Sequence, residues 1–376
     1  FMARILKCDG GKCETTTADD GTLNGDLVAM TNMLGKTFFR QIKIYLNGKL
    51  ISDSGDRYPY RAMFETELNF GTDAKSTFLE TFGYIQDSGK DINSLKNKAV
   101  LEIIENTQNS AWVEFMAPLH VDLFMQERYL LNQCDLRIEM YRNSEEFCLQ
   151  TFRDDGKKYR LDIKNMCLYV KKVEVSDNIA LAIENMLQTT TAKYPIRRVH
   201  LTTIHVTENR RSTPLNSLFS GTLPRRIVVG MVQSAAVRGT YRLSPFEFKN
   251  FGISEIKLTS GSTTLPSTPY KLKFDDGICM KSYVQMFEGL NLAGDDKSNC
   301  ITLDMFKNSS TFFVFDLGSD GVDGSYWELV KEGSTSICME FDEDIPNGGI
   351  DCVIYAEFDS LLMIDKNRET FTDYSI

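Results

Sequence analysis

Three histidines, nine cysteines and scattered carboxylates are the residues of this 376-residue sequence whose types suit catalysis or metal binding. His120 stands alone. His200 and His205 lie five apart in a segment with strand periodicity, which sends them to opposite faces and denies them a shared ion. The cysteines (Cys8, Cys13, Cys134, Cys148, Cys167, Cys279, Cys300, Cys338 and Cys352) are odd in number and include no CxxC. They fit reduced thiols in an intracellular assembly compartment better than a disulfide framework. Cys8 and Cys13 flank Asp9-Gly10-Gly11-Lys12, a turn with no second ligand pair nearby. Asp316, Asp320 and Asp323 sit in a Gly-rich loop but miss the alternating oxygen pattern of a calcium loop. Neither GxxxxGK[ST] nor GxSxG occurs, and a pair such as Glu340/Asp342 suits an exposed strand face. These residues predict a non-enzyme, with no catalytic residue, metal or cofactor.

Charge is the more informative chemistry. The net charge is −10, from 42 basic and 52 acidic residues, which argues against tight wrapping of nucleic acid. Yet Tyr194–Arg242 carries eight arginines against one acid, Glu208, while Asp316–Ile376 carries fifteen acids against Lys331, Lys366 and Arg368. Two readings stand evenly. Opposite charges at two ends of a chain suit head-to-tail contact between copies, or they are solvated faces with local pairing. On the first reading Arg197, Arg198, Arg210, Arg211, Arg225 and Arg226 are assembly-interface residues.

The elements that must position these residues are mostly strands. Ile42, Ile44 and Leu46 alternate with polar partners, and Asn47-Gly48 then supplies a tight turn before Leu50-Ile51. Strands are also predicted at Leu161–Ile163, at Leu168–Val175 with a bulge at Lys171-Lys172, and at Tyr270–Phe274. Further stripes run through Phe313–Leu317, Ile337–Phe341 and Cys352–Phe358. Helical spacing appears at Tyr60–Leu68, Tyr283–Leu290 and Ile179–Leu187, with these apolar residues expected in the core; Ser244-Pro245 resembles a helix start. Hydrophobic residues make up 42% of the chain, enough for a large core, and no apolar run approaches the ~20 residues of a membrane span.

The sequence also repeats itself. Tyr60–Glu65 and Tyr283–Glu288 share YxxMFE. Ile42–Ile44 matches Ile256–Leu258, Asp135–Met140 matches Ser336–Phe341, and Leu168–Val173 matches Val353–Phe358, all in one order. A duplicated β-domain follows, divided as 1–185 and 186–376. The second copy has an extra strand-like stretch, Arg197–Val206, before its first matched strand at Arg225–Val232. The first copy begins at its own counterpart, Ala3–Leu6. The expectation is a chain that extends upstream of Phe1, or a neighbour covering the exposed edge.

Several stretches together carry a resemblance: Leu46–Gly71 (LNGKLISDSGDRYPYRAMFETELNFG), Gln126–Asp135 (QERYLLNQCD), Ala192–Arg198 (AKYPIRR), Leu218–Val229 (LFSGTLPRRIVV), Ser244–Asn250 (SPFEFKN) and Tyr355–Arg368 (YAEFDSLLMIDKNR). In these the chain resembles the major capsid protein of Polinton/Maverick elements and adintoviruses, departing at the N-terminus, where family members are longer. The resemblance implies an all-β double jelly roll with a few short helices. Three such chains would form a pseudo-hexameric capsomer, and capsomers would tile an icosahedral shell around a double-stranded DNA genome. It implies virion localisation, with the chain itself and a minor or penton capsid protein as partners. No sequence-specific nucleic acid is expected; the arginine face either lies between subunits or meets the genome non-specifically on the inner side. The alternatives are a β-sandwich carbohydrate-binding protein and a host-adopted product of a transposon capsid gene, because fold alone does not give function.

Overall fold

The period-two segments become antiparallel strands in the computed structural model of the chain, which describes residues 1–17, 23–153, 155–213, 216–294, 296–318 and 331–373. The principal strands before residue 165 are β1 (Met2–Lys7), β2 (Phe39–Leu46), β3 (Lys49–Asp53), β4 (Val113–Glu114), β5 (Leu136–Arg142) and β6 (Tyr159–Lys164). Those after it are β7 (Ala192–Val206), β8 (Asn216–Thr222), β9 (Arg226–Gln233), β10 (Ile253–Ser260), β11 (Thr263–Leu265), β12 (Phe312–Asp316), β13 (Glu332–Phe341), β14 (Ile350–Ile364) and β15 (Thr370–Thr372). The longer helices are α1 (Tyr58–Asn69), α2 (Lys98–Thr107), α3 (Asp177–Leu187) and α4 (Met280–Gly289).

Four sheets carry the architecture. The first half forms β6-β1-β4 and β3-β2-β5; the second forms β7-β14-β9-β12, with β15 added to β14, and β8-β13-β10-β11. The series β1, β2, β3, α1, β4, β5, β6 and the series β9, β10, β11, α4, β12, β13, β14 follow the same chain order and the same pairing. The repeated YxxMFE segments fall on α1 and α4. Three strands of the second half, β7, β8 and β15, have no counterpart in the first series among the described residues. β7 covers the outer edge of β14 and β8 that of β13, whereas among the described residues no strand covers those edges of β6 and β5.

The β2–β3 hairpin closes as its turn residues require. Asn47 has φ 50° and Gly48 φ 79°, both in the left-handed region that a two-residue hairpin turn uses. The core comes from two large clusters that share α1. Tyr58 and Ala62 enter the first, with Ile42, Ile44 and also Tyr194, Ile196, Leu362 and Ile364 from the second half. Tyr60, Met63, Phe64 and Leu68 enter the other, with β9, β12 and β14. Phe64 is fully buried against the rings of Phe248, Phe312 and Tyr355, and burying such a ring contributes ~1.5–3 kcal/mol. The close approach depends on Gly230 in β9, where a Cβ would lie 2.7 Å from the Phe248 ring and 3.2 Å from Phe64.

Several local expectations fail for physical reasons. Leu168–Val175 forms no strand. Leu168, Tyr169, Val170 and Val173 are exposed, and among the described residues no backbone hydrogen bond to a neighbour holds the segment. The first-half counterpart of Val353–Phe358 is therefore β6, the strand that pairs with β1 as β14 pairs with β9. α3 forms where predicted, but Ile179, Leu181 and Met186 face solvent and only Leu187 is buried. Tyr270, Leu272 and Phe274 alternate inward as expected, but outside any regular strand. Ser244 starts no helix; its hydroxyl accepts from the Phe246 amide in a local turn.

Candidate assembly surface

The arginine-rich stretch supplies β7, β8 and β9, and the acidic tail supplies β13 and β14. β14 is hydrogen-bonded to both β7 and β9, so strand pairing brings the opposite charges together within one chain. Arg226 stands directly opposite Glu357 in the β9–β14 register. Its Nη1 donates to Glu357 Oε2 at 3.3 Å and its Nε to the Gly289 carbonyl at 2.8 Å. The Arg225 amide donates to the Glu357 carbonyl at 2.7 Å, and its guanidinium lies 3.6 Å from Asp359. Arg225 and Arg226 are only 8% and 5% exposed. Their charge is used inside the chain.

Arg197 and Arg198 are neighbours on β7 and face opposite ways. Arg197 approaches Glu357 at 3.9 Å, and Arg198 lies 4.8 Å over the Phe358 ring. Both stay partly exposed. Arg210 and Arg211 follow β7 in an exposed turn, where Arg211 Nε donates to Asp344 Oδ1 at 2.7 Å. Of the two readings of the charge asymmetry, local pairing accounts for these contacts.

Glu357 also connects to the first half. Tyr355 Oη donates to Glu357 at 3.0 Å and lies 3.4 Å from Glu65 on α1. Glu65 bonds to Arg61 one turn earlier and to His120 Nδ1; His120 Nε2 meets Lys36, and Arg61 also pairs with Asp122 at 2.8 Å. Every member of this line is buried. Burial alone would raise the Glu65 carboxyl, but Arg61 and His120 bring it down to about 2. Burial pulls the Lys36 ammonium down to about 7, against the opposing effect of Glu65. Burial likewise lowers His120, against the pull of Glu65. Sequence reasoning missed this network. Its one signal was Arg61 and Glu65 at i, i+4 amid apolar residues, a spacing that sets a salt bridge on one helix face.

The structure also assembles a serine, a histidine and an acid that lie far apart in sequence. His205 Nδ1 is 2.7 Å from Asp351 Oδ1 and 3.1 Å from Ser234 Oγ, which itself donates to Asp351 at 2.9 Å. A nucleophile requires the serine on one ring nitrogen and the acid on the other. Here both share Nδ1, and Ser234 is fully buried. The trio ties β7 and β14 to the residue that follows β9 and does not activate a serine. Asp316 ends β12 and accepts from the Gly318 amide; Asp320 and Asp323 lie outside the described residues. Among the described residues no three His, Cys, Asp or Glu side chains converge on a metal position.

No family model matches the chain. An uncharacterized protein of Caenorhabditis elegans is 27% identical over 348 residues, covering 92% of this chain and 82% of that protein. PBCV-1 VP54, as fitted into a reconstruction of the virophage Sputnik, superposes on all of this chain and 89% of its own, with a TM-score of 0.58 and 9% identity. The Sputnik virophage structure matches all of this chain and 81% of its own, at 0.57 and 11%. The Faustovirus major capsid protein matches 96% of this chain and 77% of its own, at 0.51 and 11%. The chain is a double jelly roll. Within the double jelly roll, the network from Lys36 to Arg226 runs from one roll to the other, and Arg210 and Arg211 mark an exposed turn of the second roll.

Proposed function

We propose that this chain is a structural major capsid protein of the Polinton/Maverick and adintovirus kind. The observation that carries the reading is the full-length superposition on capsid proteins of PBCV-1 and Sputnik. The stretches of sequence that resemble the Polinton family add to it. In this reading the rolls divide as 1–185 and 186–376. Three chains form a pseudo-hexameric capsomer, since two similar rolls per chain let a threefold trimer present six similar sides. Capsomers tile an icosahedral shell around double-stranded DNA, a minor or penton capsid protein closes it, and the chain resides in the virion after assembly in the host cell. Its role is structural and not catalytic.

Contacts between copies fall to the exposed arginines. Arg210 and Arg211, in the exposed turn after β7, and the partly exposed Arg197 and Arg198 within β7 reach a neighbour; Arg225 and Arg226 brace the strand ladder inside the chain. Light scattering on the purified chain, followed by negative-stain imaging of the same peak, tests the reading. Three copies of the 42.7 kDa chain, about 128 kDa, with a hexagonal outline are expected. A chain that stays monomeric at all concentrations, binds immobilised glycans and builds no particles would overturn it.

A second reading is favoured by the Caenorhabditis elegans relative: a host genome carries the gene and uses its product. Expression in uninfected tissue without particles would support that reading.

A further inference from the structure

At the seam between the two rolls, a one-turn helix, Thr72–Lys75, rests on the segment Ser298–Ile301. The approach is close. A Cβ on Gly71 would lie 3.0 Å from the Ser298 carbonyl, and Thr72 Oγ1 is 2.9 Å from Cys300 Sγ. Lys75 has no exposed side-chain surface. Its Nζ donates to Glu67 Oε2 at 2.7 Å, to the Glu67 carbonyl at 3.1 Å and to the Asn299 carbonyl at 2.7 Å. The Tyr84 ring lies 5.7 Å from the same Nζ, and burial together with the Glu67 carboxylate holds the Tyr84 phenol well above its usual range.

Asn299 is completely buried, and its Nδ2 has no hydrogen-bond partner, while its Oδ1 accepts from the Ile301 amide. A buried lysine therefore touches a carboxylate and the backbone of an asparagine whose own amide nitrogen is unsatisfied. The asparagine Cγ is one short side chain from the carbonyl that Lys75 holds. An ammonium in a dry site and an orphaned carboxamide are both costly. One reaction removes both.

We infer that Lys75 and Asn299 form an intramolecular isopeptide bond, with Glu67 as the proton carrier, covalently joining the two rolls. The Glu67 carboxylate takes a proton from the Lys75 ammonium. The freed amine attacks Asn299 Cγ, forming the new C–N bond, and the Cγ–Nδ2 bond breaks. Glu67 returns that proton to Nδ2, which leaves as ammonia, and then takes the second proton that the attacking nitrogen sheds, so that Glu67 ends as the neutral acid. No oxidant or co-reactant is consumed. The product is a neutral amide in place of a buried charge and an unsatisfied donor. The inference does not depend on the capsid reading, because it concerns bonding within one chain.

Intact mass spectrometry of the purified full chain is the test. The expected mass is about 17 Da below that of the sequence, the mass of one ammonia, with a branched tryptic peptide joining the Lys75 and Asn299 segments. Lys75→Arg keeps the cation and is expected to restore the full mass; Glu67→Gln is expected to leave most of the chain unlinked. Loss of ammonia by cyclisation at another asparagine would persist in Lys75→Arg, and that result would overturn the inference. So would Lys75 recovered only in a linear peptide from folded wild-type protein, a readout that does not depend on any variant folding.

Discussion

Arg226 and Glu357 face each other across β9 and β14, and this is the same relationship that Arg4 holds to Asp162 across β1 and β6. Both are paired residues in register, and both close an ion pair, at 3.3 Å and 2.8 Å. The duplication therefore extends to a cross-strand charge pair. The surroundings differ. Asp162 is over a third exposed and Glu357 only 9%, because β7 covers β14 while no described strand covers β6 on that side.

That difference in burial sets the cost of breaking each pair. Removing one partner of a buried pair leaves an uncompensated charge and costs ~3–5 kcal/mol. Glu357→Ala is expected to lose that much in urea unfolding. Arg4→Ala, at the exposed pair, is expected to lose ~0–1 kcal/mol. Equal losses at the two sites would contradict the role assigned to burial.

Stability is expected to fall with acidification. Above pH 10.5 the lysine is neutral in both states. As pH falls toward about 7 the unfolded chain takes up a proton that buried Lys36 refuses, so stability is lost across that window. His120, lowered by burial, continues the loss below 6.5. Glu65, held at about 2, adds to it as pH falls below 4.5. Melting temperature followed from about pH 10 downward checks the sign. Lys36→Met is expected to remove the alkaline part of the slope and leave the rest.

Gly230→Ala adds one methyl where Phe248 and Phe64 already crowd the backbone. A loss of ~1–3 kcal/mol is expected, as for other overpacked cores. Gly221→Ala is the comparison: its Cβ would meet nothing within 4 Å, so its cost comes from its φ of 97° alone. Thermal unfolding of both variants separates crowding from backbone strain.

Reversing charge at Arg210 and Arg211, both to Glu, is expected to leave the melting temperature nearly unchanged, since the Arg211–Asp344 pair is exposed. The proposed contacts between copies are expected to weaken, read as a shift toward smaller species in sedimentation velocity and a lower yield of particles. Unchanged assembly would remove these residues from the contact surface.

Much of the fold was legible because its signals are local. Asn47-Gly48 forces a turn, and the alternation of Ile337, Met339 and Phe341 matches their burial on β13. Three of the four repeated segments sit on corresponding elements; Leu168–Val173 does not, because alternation alone cannot distinguish a paired strand from an exposed extended segment. α2 went unread, although Asn97 caps it by accepting from the Ala99 amide. The charged line from Lys36 to Arg226 is not local. Its members lie up to 321 positions apart in sequence, and only tertiary packing brings them together. The arginine pairs looked alike as dipeptides, and strand pairing separated Arg225 and Arg226, which are buried, from Arg210 and Arg211, which are not.

α1 gives Tyr58 and Ala62 to one core and Tyr60, Phe64 and Leu68 to the other. The wall between the rolls is thus a single rod shared by both rooms. Neither roll can be emptied without stripping one side of that rod, so the chain is expected to melt in one step. A block whose two halves share their partition resists bending at its middle. Any curvature in a larger surface built from such blocks must then come from the joints between copies.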